Sequence, residues 1–547
     1  METNGGFRRA PDPIRTRRGV ELPSMTTPTR TAPRRLAFAL TGVLAAVAGM
    51  AVGHLVAAFV NPATSPVLSV GSSVIDLTPT PLKEAAISTF GTNDKAILLA
   101  SVGLVTVLLA ATAGLLSRRR PQVGLGLIVL LVVLAGVAAL TRPTATPLDL
   151  LPALATGIVG VAVILWLRRL IVGHAGEAAT DPDKAMLTED SHPTRDGSRR
   201  QFLVGAAGVT AGAVVVAGAG QRLASASSDP SSVVLPSAAE AARPLPTGLE
   251  AQVKGISSFR TPTADFYRVD TNLTVPKVAK DSWKLEIDGD VKTPFSLSFD
   301  ELSKMPLIER DITMTCVSNE VGGGYIGSAT WLGVRLTDIL DRAGVGSSSD
   351  QLLSTAVDGF TISTPLAAVR DGRDAMVVIG MNGAALTDTH GFPARLITPG
   401  LYGFVGATKW LTRLTLTTYA AQQSYWTQRK WATDAPVKTS ARIDTPAPLT
   451  TIPPGPTAIG GVAWAQRRGV GRVEVRIDGG AWQPAMLGPD AGVDYWRQWY
   501  LPWDATSGQH MVAVRAVDLT GAVQIEERAT PFPGGSSGIQ EIVIIVS

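Results

Sequence analysis

Five apolar stretches, at 36–60, 96–116, 123–140, 150–167 and 202–220, contain no Asp, Glu, Lys or Arg. Each approaches the roughly 20 residues that a helix needs to cross a bilayer core. The shorter ones taken singly also fit buried helices of a large soluble core, but five of them within the first 220 residues argue for membrane spans. Composition agrees, since 45% of the 547 residues are hydrophobic and only 17% charged, too apolar for a soluble chain of this length. The expected organisation is a basic segment at 1–35, a transmembrane region of about five helices at 36–220, and a non-membrane remainder.

The basic residues orient the spans. Arg30, Arg34 and Arg35 precede the first, Arg118, Arg119 and Arg120 separate the second and third, and Arg168 and Arg169 follow the fourth. The alternate loops hold only Lys83, Lys95 and Arg142. Positive loops stay in the cytoplasm, so the N-terminus is expected inside and everything after residue 220 on the extracytoplasmic side. The net charge of +4 is spent in these clusters, which argues against a nucleic-acid partner. Ser198-Arg-Arg-Gln-Phe-Leu-Val204, ahead of the Gly/Ala-rich last span, resembles a twin-arginine export signal. The competing reading is an arginine pair that only sets topology.

Beyond the spans, 221–255 is rich in Ser, Ala and Pro and reads as an extended linker. From 256 to 445 the rhythm is mixed. Residues 283–288 alternate like a strand, while Ser298 and Glu301 have capping-box spacing, so an α+β domain is expected. From 446 the chain turns to short strands, at 473–477, 510–516 and 541–546, with turn signals such as Asp478-Gly-Gly480. That pattern predicts an all-β, immunoglobulin-like sandwich over 446–547.

Cys316 is the sole cysteine, set in Asp311-Ile-Thr-Met-Thr-Cys-Val-Ser-Asn-Glu320 and followed by Gly322-Gly-Gly324. One cysteine forms neither an internal disulfide nor a four-thiolate metal site, so it is either an incidental small apolar residue or acts alone. A single thiolate suffices as a soft metal ligand when an organic cofactor brings the other sulfurs, and the three glycines would let backbone approach such a group closely.

The run Thr-Cys-Val-Ser-Asn-Glu, then Thr330-Trp-Leu-Gly-Val334 leading into a helix at 336–342, resembles the molybdenum-cysteine segment of the sulfite oxidase family. Met381-Asn-Gly383 followed by His390-Gly-Phe-Pro-Ala-Arg395, and Pro399-Gly-Leu-Tyr-Gly403 followed by Lys409-Trp410, match in order and spacing over about 250–547. The resemblance implies a molybdenum–molybdopterin cofactor with Cys316 as its only protein ligand and the catalytic centre. It implies Arg395, Lys409 and Gly403 as donors to the pterin phosphate, His390 as a pterin partner, and Phe266, Tyr267, Asn272 and Asp358 as further cofactor-binding residues. It also implies an oxygen-atom-transferring oxidoreductase, sulfite-oxidase-like or sulfoxide-reductase-like, dimerising through its C-terminal domain.

Three positions depart from the family pattern. Counting back from Val275-Pro276 puts Asp270 where an arginine belongs and Asn272 where a histidine belongs, with Arg268 as a substitute cation. The active-site tyrosine falls on Ile379, so a changed substrate is expected. A haem between spans would need two histidines, whereas His54 alone lies within a span and His174 follows the fourth, and one cysteine excludes iron–sulfur spacing. A quinone or a separate electron carrier is therefore implied. Two other classes stay open: a non-catalytic membrane-anchored sensor using the sandwich, and a cysteine hydrolase, against which stands the lack of an acidic orienter for His390 or His510.

Overall fold

The computed structural model describes residues 32–79, 82, 89–90, 93–172, 195–225 and 229–547. Arg30, Lys83, His174 and most of the basic segment lie outside them. Six helices come first: α1 (Ala32–Val60), α2 (Pro66–Leu77), α3 (Asp94–Ser117), α4 (Pro121–Leu140), α5 (Leu151–Val172) and α6 (Arg195–Ser225). All but α2 are long and apolar enough to cross a bilayer. α2 was not expected; Pro66 in its first turn supplies the fixed φ that starts it.

Small residues let these helices touch backbone to backbone. A methyl group on Gly42 of α1 would lie 1.9 Å from the Ala110 carbonyl oxygen of α3, and one on Gly114 of α3 would lie 2.1 Å from that of Phe38. The beginning of α1 is thus against the end of α3, while Gly53, late in α1, faces Pro152 at the start of α5. Gly205, early in α6, lies against Trp166 and Leu170 of α5, and Gly220 against His54 and Leu55 of α1. This pairing gathers Arg35, Arg118–Arg120, Arg168, Arg169 and Arg200 at one end of the bundle. The other end meets the remainder of the chain.

The next domain holds two sheets. Strands β1 (Lys284–Gly289), β2 (Phe295–Ser298), β5 (Gln351–Ala356), β6 (Thr361–Pro365) and β10 (Leu411–Thr417) form one, in the order β2-β1-β10-β5-β6, with β1 parallel to β10. The other comprises β3 (Leu307–Thr315), β4 (Ile326–Arg335), β7 (Met376–Met381) and β8 (Ala384–Ala385), with β9 (Arg395–Ile397) on β7. The alternation of β1 buries Leu285 and Ile287 against Leu414, Val334 and Val377. Ser298 and Glu301 form the reciprocal cap that their spacing predicts, and the helix Leu336–Ala343 ends on Gly344 at φ 68°.

Ile379 also sits in that core, fully buried on β7. It faces neither solvent nor a cavity, so the expectation that it replaces an active-site tyrosine is corrected. The stretch read as a free linker also behaves differently. Val233, Leu235 and Ala238 pack on the same core, Glu240 pairs with Arg310 and Arg335, and Leu249 and Val253 cluster with Ile256. Its apolar residues are spaced among Ser and Pro, too thinly for a compositional signal but enough to dock it.

The C-terminal residues form two facing sheets. Strands β11 (Ser440–Thr445), β13 (Gly455–Trp464), β16 (Met486–Leu487) and β17 (Arg497–Ala505) make one. Strands β12 (Thr451–Ile452), β14 (Val470–Ile477), β15 (Gln483–Pro484), β18 (Gly508–Asp518) and β19 (Gln540–Val546) make the other. Trp499, Ile459, Val473, Val514 and Ile544 fill the space between. This sandwich grips the preceding domain at Thr313. The Trp496 amide donates to its hydroxyl at 2.8 Å, Gln466 Nε2 donates to its carbonyl at 3.0 Å, and its own N–H donates to the Asp494 carbonyl at 2.9 Å.

Candidate active site

Cys316 follows β3 directly, in a loop held from both sides. Its amide donates to the Tyr325 carbonyl at 3.0 Å, and the Ser318 amide points at Sγ from 3.4 Å. Asn319 Oδ1 accepts the Tyr325 amide at 2.8 Å and so closes the loop. Burial pushes the Cys316 thiol up, so it stays protonated unless a metal takes the proton's place.

Sγ borders a cavity of about 530 Å³. All nine residues singled out in the sequence line it: Phe266, Tyr267, Asn272, Cys316, Asp358, His390, Arg395, Gly403 and Lys409. They come from five separate segments, which only the packing of the two sheets brings together. Gly322-Gly-Gly324 do not line it. Gly322 abuts the Gln540 side chain and the Gly323 carbonyl accepts from Arg442 at 2.9 Å, so these glycines serve the contact with the sandwich.

Arg395 is the least satisfied cation in the cavity. It is buried, its guanidinium lies 5.3 Å from the Trp331 ring centre, and Nη1 donates to the His390 carbonyl at 3.2 Å. No carboxylate pairs with it among the described residues, and Nε has no hydrogen-bond partner. Burial pulls it down to about 10. A buried fork of N–H groups without an acid is costly unless an anionic ligand completes it. This donor set, beside a lone thiol, fits an anionic organic cofactor that carries its own metal.

His390 has the opposite tendency. Nε2 faces the Thr263 carbonyl at 3.1 Å, which assigns the hydrogen to Nε2 and leaves Nδ1 an acceptor. Burial first, and then Arg395, hold it down at about 4, so it is neutral at physiological pH. Against the hydrolase reading, His390 is oriented by a backbone carbonyl; His510 does have an acid, Asp478 at 2.7 Å, but on the sandwich, away from Cys316.

Asp270, expected as a broken match, organises the cationic side. Its carboxylate is 3% exposed and meets Lys409 at 2.9 Å, Arg268 at 2.8 Å and Lys95 at 2.9 Å. Burial opposes ionisation, but the three cations win and hold the Asp270 carboxyl well below the usual carboxylate range. Lys95, at the start of α3, also donates to the carbonyls of Asp270 at 2.8 Å and Asn272 at 2.7 Å. Asn272 in turn bonds Asp358, which burial pushes up and which accepts the Phe360 amide at 3.1 Å.

The remaining wall was not foreseen. Ile75 and Thr78 from the end of α2, Leu82, and Lys95 and Leu98 of α3 close one side; Phe360, Tyr425, Trp426 and Trp431 close another. The dense aromatic run 425–431 was the one signal that could have marked it. The apolar helices bear no such mark, because nothing in their sequence tells which end meets the site.

Residues 272–426 match the family model for the oxidoreductase molybdopterin binding domain. Mitochondrial sulfite oxidase of Rattus norvegicus is 30% identical over 273 residues, 42% of this chain and 50% of that protein. Nitrate reductase (NADH) 1 of Oryza sativa subsp. japonica is 27% identical over 329 residues, 50% of this chain and 35% of that protein. The crystal structure of the sulfane dehydrogenase SoxCD from Paracoccus pantotrophus aligns at 26% identity and TM-score 0.47, over 53% of this chain and 83% of that one. The chain spans about half the length of the sulfite oxidases it matches.

Replacing Lys95 by Met removes one of three cations on a buried carboxylate, at about 1–3 kcal/mol. Hydrogen exchange of residues 265–276 should accelerate accordingly; unchanged protection would show that Lys95 does not hold the segment. His390 supplies a pH signature. Its folded value of about 4 lies below the unfolded 6.5, so its contribution is complete above pH 6.5 and is lost as pH falls towards 4, about 3 kcal/mol in all. Cofactor-free His390→Gln should lose that slope in a melting-temperature series between these limits, and an identical slope would refute the assignment.

Proposed function

With the chain belonging to the sulfite oxidase family of molybdopterin oxidoreductases, we propose that it is anchored by its five apolar helices and faces the extracytoplasmic side. There it catalyses two-electron oxygen-atom transfer on a small substrate. The observation that carries this reading is the unpaired, buried Arg395 beside Cys316 in one cavity. When bound, molybdopterin supplies the metal redox chemistry and the oxygen-atom transfer. The chain's own residues do the holding. Cys316 offers the soft ligand, Arg395 and Lys409 meet the anionic pterin phosphate, Gly403 leaves room for its approach, and neutral His390 offers Nδ1 as an acceptor to the pterin ring. Phe266, Tyr267, Asn272 and Asp358 line the cofactor's bed.

The basic ends of the helices, gathered opposite the catalytic domain, support the outward orientation. Ser198-Arg-Arg-Gln-Phe-Leu-Val204 fits a twin-arginine signal that would export that domain folded and loaded. The C-terminal two-sheet unit fits an immunoglobulin-like dimerisation domain, making a homodimer the expected assembly. Because Asp270 occupies a position where the family pattern has a cation, the substrate is expected to be less dependent on anion recognition than sulfite.

Cys316→Ser should abolish turnover while leaving the fold intact, since the serine hydroxyl is nearly isosteric but a poor soft-metal ligand. A folded, molybdenum-replete variant that still turns over would rule out the thiolate role. Arg199→Lys with Arg200→Lys should strand the catalytic domain inside, because two ammonium groups do not reproduce a guanidinium pair. Protease added to intact spheroplasts reads this directly, and normal exposure of the double variant would reduce the pair to topology charges.

A further inference from the structure

Part of the cavity wall is made of residues other than those that would hold a cofactor. Ile75 at the end of α2 and Leu98 near the start of α3 belong to it, beside Lys95, together with the aromatic residues Phe360, Tyr425, Trp426 and Trp431. The rings pack edge to face or tilted: Phe360 and Tyr425 at 5.0 Å, Tyr425 and Trp426 at 4.9 Å, Trp426 and Trp431 at 5.6 Å between centres. Around this part exposed apolar side chains stand beside the ion pair of Asp76 with Arg429 at 3.8 Å. Leu77 is 84% exposed, Leu82 62% and Ile97 40%. A small hydrophilic substrate gains nothing from such a wall, and water-facing leucines at this density mark a docking region.

We propose that this part of the cavity binds a quinone arriving laterally from the bilayer, past the ends of α2 and α3, and that the quinone is the electron acceptor of the site. Three features point to that class. Ile97 is exposed in the first turn of α3, a helix of membrane-spanning length, and Leu77 is exposed at the end of the short helix α2 that packs on it, so an apolar tail can stay in the bilayer while its head enters. The aromatic wall brings four rings to the cavity, residue types that reward a flat ring with more than simple apolar contact. The same cavity reaches Cys316, so a ring lodged there lies in the chamber where the substrate's electrons are released.

The inference rests on the oxygen-atom-transfer reading above, taken in the oxidative direction. The balance closes with water and quinone alone: substrate X, water and quinone give XO and quinol. The oxygen of water goes to X, and the two electrons and two protons released end in the two O–H bonds of the quinol. No other oxidant is needed.

The test is photolabelling of the full-length chain in lipid nanodiscs with an azidoquinone, competed by decylubiquinone and mapped by peptide mass spectrometry. Label within residues 75–79, 93–98 or 425–431, displaced by decylubiquinone, is expected. Leu98→Gln and Trp426→Leu should each weaken the displacement about tenfold, corresponding to about 1.4 kcal/mol of lost apolar or ring contact. The two variants sit on different walls, and size-exclusion profiles identify one that fails to fold. Label that decylubiquinone does not displace, or that maps only to the lipid-facing sides of the other helices, would overturn the proposal. So would equal displacement by dodecyl methyl sulfide, which has a tail but no ring. Molybdenum content, measured on the same sample, separates the two readings: displaced label without molybdenum would refute the oxygen-transfer reading alone, and molybdenum without displaced label would refute this one alone.

Discussion

The buried carboxylate of Asp270 ties together parts of the chain that are far apart in sequence. A carboxylate at 3% exposure is tolerable only when its charge is met at close range, and here three cations do so from three directions. Arg268 comes from the same loop, Lys409 from the segment that also carries His390 and Arg395, and Lys95 from the first turn of an apolar helix. Removing the carboxylate would leave Lys409 buried without its counter-charge and would free the 265–276 loop from α3. The cationic side of the cavity and its attachment to the helical bundle are therefore one electrostatic unit.

The thiol side depends on a different contact. Thr313 and the loop after Cys316 are bonded by the sandwich through Trp496, Gln466, Arg442 and Ser536. Val317 shares a core cluster with Trp464, Tyr495 and Trp496 of the C-terminal unit. A ligand loop with an oriented Sγ needs its backbone held, and the chain does this with a second domain rather than with local turns. The glycines beside the cysteine belong to this arrangement, because larger residues would collide with Gln540 or Asn319.

Catalytic domain and helical bundle thus line a single chamber, while the sandwich lines none of it and holds the thiol loop. Its lining is mixed in chemistry: buried cations and the thiol on some segments, Ile75, Leu98 and four aromatic rings on others.

The sequence by itself determined the broad plan. Five uninterrupted apolar runs pointed to long helices, the period-two patterns at 283–288, 473–477 and 541–546 to half-buried strands, and the family resemblance singled out Cys316, His390, Arg395 and Lys409, which line one cavity. These features are local or rest on residue types whose chemistry admits few uses. What the tertiary structure alone decided is of another kind. That Ile379 is core, that 233–255 is docked, that Gly322 and Gly323 face the sandwich, and that Lys95 and Leu98 close the cavity all depend on contacts between segments tens to hundreds of residues apart. No periodicity or motif encodes such contacts, because each is fixed by how the sheets and helices pack, and a residue's own neighbours in the chain carry no record of that packing.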